Sequence, residues 1–299
     1  MAVTPATYGT SERPPRGDYS AARVDYTCDQ DWSAYTAAEH ELYARLCARQ
    51  ARQIKDQACN EFIHTLPQLG SEREIPRFES ISLSLRRATG WELVAVPGLI
   101  PERAFFSLLA SRRFPVTVWL RRPEEFDYVV EPDVFHDLFG HVPLLFNPVF
   151  ADYMQAFGAG GLKAQDLSAL EYLARLYWYT VEFGLIATPK GLRAYGAGIL
   201  SSAGETAYAL TSMKPQRLPF ELERVLRTPY GIDSFQHTYF VVDSFAQLFD
   251  ATAPDFAPIY QRVSRLPGLT AKDRLPGERV VAPNPAEAPM PEQGSLRNL

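Results

Sequence analysis

The chain has 299 residues, 46% of them hydrophobic, and its 30 Lys+Arg against 35 Asp+Glu give a net charge of -5. That length buries a full core, as one large domain or two modest ones. There is no basic run of the kind that neutralises a phosphate backbone, no apolar stretch near the ~18–20 residues of a membrane span, and no basic-then-apolar signal segment; the expectation is a globular cytoplasmic protein with no nucleic acid and no membrane partner.

Residues 1–30 mix Pro5, Gly9, Pro14, Pro15 and Gly17 with polar residues and show no apolar period, which predicts a mobile arm. Cys28, Cys47 and Cys59 contain no CxxC pair and read as reduced structural thiols. Thr36 and Glu39 make a T-x-x-E capping box, after which Tyr43, Cys47, Ala51, Ile54, Ala58 and Phe62 recur at helical spacing. One long helix ending before Pro67 and Gly70 is expected. A second helix runs from Phe78 to Ala88 and stops at Gly90, and WELVAV alternates like a short strand. Pro101 suits the first turn of a helix through AFFSLLAS, after a Gly98-Leu99-Ile100 turn that can bring backbone groups close to a flat ligand. Composition alone makes Phe105 a core aromatic. Val116, Val118 and Leu120 predict another strand, followed by Arg121 and Arg122, a pair that composition reads as solvated.

Two of the five histidines, His136 and His141, stand five residues apart in EPDVFHDLFGHVPLLF, residues 131–146. On a regular helix that spacing turns the second side chain roughly 140° away from the first, so a shared ligand requires a bend between them. Gly140 in the left-handed conformation, with Pro143 behind it, would supply one: His136 in a last helical turn and His141 just beyond. Asn147-Pro148 then caps a helix ending at Gly158, and GAGG at 158–161 reads as a loop. Ser168 and Glu171 form a second capping box, opening a helix that carries Ala174, Tyr177, Trp178 and Glu182 and is buried nearly all round.

Glu182 is the only charged residue in LYWYTVEFGLIA, residues 176–187. A carboxylate in so apolar a helix is costly unless it is paired, hydrogen-bonded or bound to a cation. Two histidines and a carboxylate with positions left open form the facial triad of non-heme iron(II) oxygenases. The same set makes the catalytic site of a zinc hydrolase, and core histidines beside a buried, paired acid are the ordinary account of such residues. The helical surroundings count against 2-oxoglutarate oxygenases, which build their triad on strands, and a non-catalytic binding module leaves Glu182 without a reason. YGAGILSS, residues 195–202, has a G-x-G with no clear strand before it, which gives a dinucleotide fold little support. Farther on, a strand is expected at 239–243 and helices at 244–251 and 257–265. Residues 266–299 are rich in proline and charge, which predicts a mobile, disordered tail. The fold expected is mainly α (α+β): a single multihelical domain over residues 31–265 with a few short strands.

Together EPDVFHDLFGHVPLL, LARLYWYTVEFGL and YGAGILSS resemble the pterin-dependent aromatic amino acid hydroxylases, the bacterial members most nearly, over the whole expected domain. The resemblance implies an iron(II)- and tetrahydrobiopterin-dependent monooxygenase. Such an enzyme uses dioxygen to hydroxylate the ring of L-phenylalanine to L-tyrosine in phenylalanine catabolism; tryptophan and tyrosine are the alternative substrates. It implies that His136, His141 and Glu182 ligate the iron, and that Phe105 stacks on the pterin. Gly98, Leu99 and Ile100 would offer backbone contacts, Ala174 and Tyr177 line the other side, and Asp137 stands where eukaryotic members carry a glutamate that reaches the pterin through water. Arg121 resembles the guanidinium that grips the substrate carboxylate, with Asp133 holding it. Pro132, Trp178, Phe183, Gly198 and Ser201 map to the pocket around the aromatic ring. Larger members carry a regulatory domain and a terminal heptad segment that are not seen here, so a monomer without substrate activation is expected. Val129-Val130 replaces the Thr-Pro that animal members carry before the EPD motif.

Overall fold

Thr36 accepts a hydrogen bond from the Glu39 N–H at 3.2 Å while the Glu39 carboxylate accepts from the Thr36 N–H at 2.8 Å, the reciprocal cap that starts α1 (Ala37–Ile54). The structure, a computed structural model, describes residues 16–285 apart from residues 71 and 233. The single long helix expected from the apolar spacing is two. After α1 the chain turns, Ala58 bridges to Ala194, and α2 (Asn60–Thr65) follows. Ala58 and Phe62 are buried as the spacing requires, because the break returns them to the same core. An apolar period does not register a turn of that kind. α3 (Phe78–Ala88) ends as expected, with Gly90 in the left-handed region at φ 77°.

β1 (Glu92–Val96), α4 (Glu102–Ala110) and β2 (Arg113–Thr117) form a crossover unit whose strands are parallel, Glu92 opposite Arg113 and Val96 opposite Thr117. β2 begins at Arg113 rather than Val116, and Pro101 caps α4 from outside its first turn. α5 (Val142–Leu145) and α6 (Pro148–Asp166) come next, and α6 runs straight through residues 158–161, the expected loop. A Cβ on Gly158 would lie 2.3 Å from the Ala110 nitrogen, and one on Gly161 2.1 Å from the Phe106 ring. These glycines let α6 press against α4, and that packing outweighs the ~1 kcal/mol a helical glycine costs. Ser168 does not cap α7 (Leu170–Tyr177): its own φ is 53°, and Ala169 stands at the N-cap without a side-chain bond. The helix is enclosed on one face rather than all round: Leu173, Leu176, Tyr179 and Val181 are buried, while Glu171 is exposed.

β3 (Leu185–Thr188), β4 (Gly191–Ala194), β5 (Gln216–Pro219) and β6 (Thr238–Val242) build a second sheet in the order β4-β3-β6-β5, antiparallel at β3–β4 and parallel elsewhere. Of these only β6 is expected from sequence; the other three have four residues each, too few for a period to show. α8 (Ala197–Leu200), α9 (Ala203–Thr211), α10 (Leu222–Arg227), α11 (Phe245–Thr252) and α12 (Phe256–Val263) complete a mainly helical domain with a few short strands. No helix among the described residues is long and apolar enough to cross a membrane.

Contacts continue past the expected domain edges at 31 and 265. Arg16 bonds both Glu125 oxygens at 2.9 and 2.8 Å, and the Tyr19 hydroxyl donates to the Leu99 carbonyl at 2.8 Å. At the other end Glu278 meets Arg224 at 2.5 Å, the Val281 N–H donates to the Arg217 carbonyl at 2.8 Å, and Asn284 brackets Leu192 with bonds of 2.8 and 2.9 Å. Over these residues the arm and tail read as mobile are laid on the body. They dock through polar and backbone bonds, which leave no apolar period in the sequence. The rest of both segments, residues 1–15 and 286–299, lies outside the described residues.

Candidate active site

His136–His141 is one π-helical turn, and Trp178–Glu182, directly after α7, is another. A π turn bonds i to i+5, so it sets residue 141 over residue 136, where an α-helix would set residue 140. The bend expected at Gly140 is therefore replaced by a wider turn. Gly140 is not among the left-handed glycines, and the helix continues into α5 with Pro143 in its first turn, where a missing N–H costs little. Gly140 serves by close approach instead: a Cβ there would lie 3.0 Å from both the Cβ and the carbonyl oxygen of Ala197, on α8.

The two π turns bring three ligand atoms together. His136 Nε2 lies 3.2 Å from His141 Nε2 and 3.6 Å from Glu182 Oε2, and His141 Nε2 lies 3.1 Å from Glu182 Oε1. The His136 and Glu182 side chains keep 14% and 12% of their exposure against 5% for His141, so the cluster is approached from the His136–Glu182 side. His136 Nδ1 is 2.8 Å from Ser201 Oγ, whose own hydroxyl donates to the Ala197 carbonyl at 2.8 Å. Ser201 is thus the acceptor, Nδ1 carries the proton, and the Nε2 lone pair faces the shared space. Burial pushes His136 down to about 4, so it is neutral, as a metal ligand must be. Burial alone would also lower His141, but the Glu182 carboxylate reverses the sign and raises it. For Glu182 burial acts upward, and His141, then His136, bring it below the usual carboxylate range. Two imidazole nitrogens and a carboxylate oxygen at these distances fit a divalent cation; the donor set suits iron(II) and zinc alike.

Asp133, fully buried, ties this centre to Arg121. Its carboxylate accepts from Arg121 Nε at 2.8 Å, Nη2 at 2.9 Å and the Arg121 N–H at 2.9 Å, and from the His136 N–H at 3.0 Å. Burial would raise its pKa, and the guanidinium and these N–H groups bring it below the ordinary value. Arg121 is 4% exposed, far from the solvated residue that composition predicts, because Asp133 compensates its charge. The fork to Asp133 occupies Nε and one side of Nη2, leaving the Nη1 edge of the guanidinium for a ligand.

The remaining site residues fall into two groups. Phe105 meets Tyr177 edge-on at 5.7 Å, and Tyr177 lies 6.4 Å from the His141 ring, so an aromatic wall leads from α4 to the metal centre. Ile100 packs beside Phe105, Gly98 approaches the Arg16 carbonyl, the Leu99 carbonyl is taken by Tyr19, and Ala174 lies one turn before Tyr177 on α7. Asp137 accepts from the Thr117 N–H at 2.7 Å at the end of β2, and burial pushes it up to about 7. In the second group Trp178 and Phe183 lie 4.8 Å apart, and Gly198 leaves just enough room for the Phe183 ring. Pro132 adjoins Asp133 in the chain, and Ser201 meets the ring of His136. Sequence reasoning missed Tyr230, stacked on Trp178 at 4.3 Å, and Gln236, which accepts from the indole N–H at 3.0 Å. Both lie on the stretch before β6, where no period or motif marks them.

A mainly helical domain that presents a His-His-Glu centre beside two aromatic walls defines a class, and the chain belongs to it: residues 14–263 match the family described as biopterin-dependent aromatic amino acid hydroxylase. Among its relatives, the phenylalanine-4-hydroxylase of Ralstonia nicotianae is 56% identical over 265 residues, covering 88% of this chain and 85% of the relative. That of Chromobacterium violaceum is 55% identical over 258 residues, covering 86% and 87%. The iron- and phenylalanine-bound crystal structure of the C. violaceum enzyme has a TM-score of 0.84 at 54% identity and covers 87% of this chain and 96% of that one. Its cobalt-bound form has a TM-score of 0.85 at 55% identity, covering 87% and 95%. Membership in this family removes the zinc-hydrolase alternative.

Proposed function

We propose that the chain hydroxylates the ring of L-phenylalanine to give L-tyrosine, with iron(II) at His136, His141 and Glu182, a tetrahydropterin as electron donor, and dioxygen. The observation that carries this reading is the convergence of three ligand atoms, all within 4.8 Å of one another, beside the Trp178–Phe183 pair. Bound iron and pterin supply the electrons that dioxygen needs before it reacts with a closed-shell ring. The protein's part is placement. Ser201 fixes the tautomer of His136, so its lone pair is available without rearrangement. The Nη1 edge of Arg121 takes the substrate carboxylate, with the other edge anchored by Asp133, and a planar fork sets direction as well as distance. Trp178, Phe183 and Pro132 orient the aromatic ring and keep water from the reacting face. On the other side Phe105 and Tyr177 give a flat pterin an aromatic wall, and Gly98, Leu99, Ile100, Ala174 and Asp137 are proposed to complete its seat.

The test of the function is product analysis with iron(II), tetrahydropterin, dioxygen and each aromatic amino acid in turn. Tyrosine from phenylalanine as the main product is expected. Preferred conversion of tryptophan or tyrosine, or full activity without pterin, would overturn the assignment.

A further inference from the structure

Trp178 stands on the same π turn as the ligand Glu182, and three neighbours hold its indole. Tyr230 stacks on it at 4.3 Å with the ring planes 12° apart, Phe183 meets it at 4.8 Å and 36°, and its Nε1–H donates to Gln236 Oε1 at 3.0 Å. Stacked rings tolerate sliding and in-plane rotation, since the attraction depends little on azimuth. The Nε1 bond is directional, and it ties one edge of the indole to the loop before β6.

Gln236 is itself firmly mounted. It is 4% exposed, and its Nε2 donates to the Gly231 carbonyl at 3.0 Å and the Ser234 carbonyl at 3.4 Å. A flipped amide would set its oxygen against those carbonyls and its NH2 against the indole N–H, so only the observed orientation satisfies all four groups. The Gln236 N–H donates to Glu205 Oε1 at 3.3 Å, and the Tyr239 hydroxyl donates to the same oxygen. Glu205 belongs to α9 and Tyr239 to β6, so the acceptor facing the indole is braced by two separate elements.

We infer that Gln236 is a positioning residue: through its bond to Nε1 it sets the pose of the Trp178 indole, and with it the pocket's selectivity among aromatic side chains. The inference rests on the hydroxylase reading of the site. An indole released from this bond can slide along Tyr230 and change the width of the slot beside the metal centre. A slot of altered width discriminates less between a phenyl and an indolyl substrate, and places the ring less well for oxygen transfer.

The test measures kcat/KM for phenylalanine and for tryptophan, and product formed per tetrahydropterin oxidised, in iron-loaded wild type, Gln236→Met and Gln236→Glu. Methionine keeps the length and removes the acceptor. Glutamate keeps an acceptor for the indole but sets an oxygen against the Gly231 and Ser234 carbonyls, so it loosens the loop without cutting the indole bond. Expected are a roughly tenfold fall in the phenylalanine-to-tryptophan preference and a lower product yield for Gln236→Met, the scale of one buried hydrogen bond. Gln236→Glu should melt earlier yet keep the preference. In a Trp178→Phe background Gln236→Met should shift the preference no further. An unchanged preference in Gln236→Met, or one that falls equally in Gln236→Glu, overturns the inference. If the methionine variant does not fold, Gln236→Asn, which withdraws the amide by one methylene, is read in its place against the same outcomes. Failure of the wild type to hydroxylate any aromatic amino acid would count against the function itself and leave a different signature.

Discussion

His136 donates its Nδ1 proton to Ser201 Oγ at 2.8 Å, and Ser201 in turn donates to the Ala197 carbonyl at 2.8 Å, so a residue on α8's C-terminal edge decides which imidazole nitrogen can face the metal. Removing such a partner of a ligating histidine typically weakens metal affinity about 10- to 100-fold. Ser201→Ala should therefore bind iron(II) more weakly by that factor while its metal-free melting temperature stays close to wild type. Titration with iron under anaerobic conditions checks it, and equal affinity in the two proteins would assign Ser201 a packing role only.

The three ligands should act as a unit. About one iron per chain is expected in the wild type, and Glu182→Ala should lose it while remaining folded, because the other two donors cannot hold a divalent cation tightly. Added iron(II) should raise the melting temperature of the wild type and leave that of Glu182→Ala unchanged, since only a ligand that prefers the folded state stabilises it. Full iron occupancy in a folded His136→Ala, His141→Ala double variant would refute the site.

Deleting residues 275–299 should destabilise the protein, although their composition reads as a free tail. Arg224 is 4% exposed and loses Glu278 on deletion, while the Arg217 carbonyl and Leu192 lose Val281 and Asn284. The guanidinium keeps Thr228 Oγ1 and the Asp273 carbonyl, so losing its one carboxylate partner costs on the order of 1.5–3 kcal/mol. Chemical denaturation of the truncated chain should show a loss of that order, and an unchanged midpoint would mean that Arg224 finds water or another partner.

Glu205, 4% exposed, accepts from Tyr239 and the Gln236 N–H, and burial nonetheless raises its carboxyl above the ordinary value. The folded state therefore holds this proton more tightly than the unfolded chain. The stability it contributes is fully present below the ordinary value of about 4.3 and is lost as pH rises through the raised one. Denaturation of wild type and Glu205→Gln from pH 4 to pH 8 should show the wild type losing ground to the variant as pH rises. A constant difference would place the Glu205 pKa at its ordinary value.

How much of this was legible in the sequence depended on the kind of signal. The reciprocal bonds of Thr36 and Glu39 lie three residues apart, and the stop at Gly90 follows from backbone sterics, so both could be read locally. The metal ligands could be found because an isolated carboxylate in an apolar helix is anomalous wherever it occurs. The π turns could not: a spacing of five residues admits a bend or a widened turn, and what selects between them is Ala197 packed on Gly140, a contact between distant parts of the chain. Arg121 read as solvated for the same reason, since its burial depends on Asp133 lying opposite. β3, β4 and β5 are defined by their neighbours in the sheet more than by any pattern of their own.

Arg121→Lys tests whether the guanidinium selects amino acids by their carboxylate. The arginine meets Asp133 through two parallel bonds of 2.8 and 2.9 Å on one edge, and the opposite edge can offer a second parallel pair to a substrate carboxylate. A lysine has one ammonium; it can face Asp133 or the substrate, and it cannot present a fork to either. Losing the clamp removes ~1.5–3 kcal/mol of charged hydrogen bonding, so the apparent substrate constant should rise on the order of tenfold or more. Catalysis should fall as well, because a substrate held less firmly by its carboxylate presents its ring at the wrong place. Iron content and pterin affinity should change little, since no ligand atom belongs to this side chain. Steady-state assays that follow tyrosine formation and pterin oxidation separately distinguish the outcomes: continued pterin oxidation with less tyrosine per pterin supports mispositioning. A variant that matches wild type in both would mean that the carboxylate is held elsewhere, with Arg122 the next residue to change.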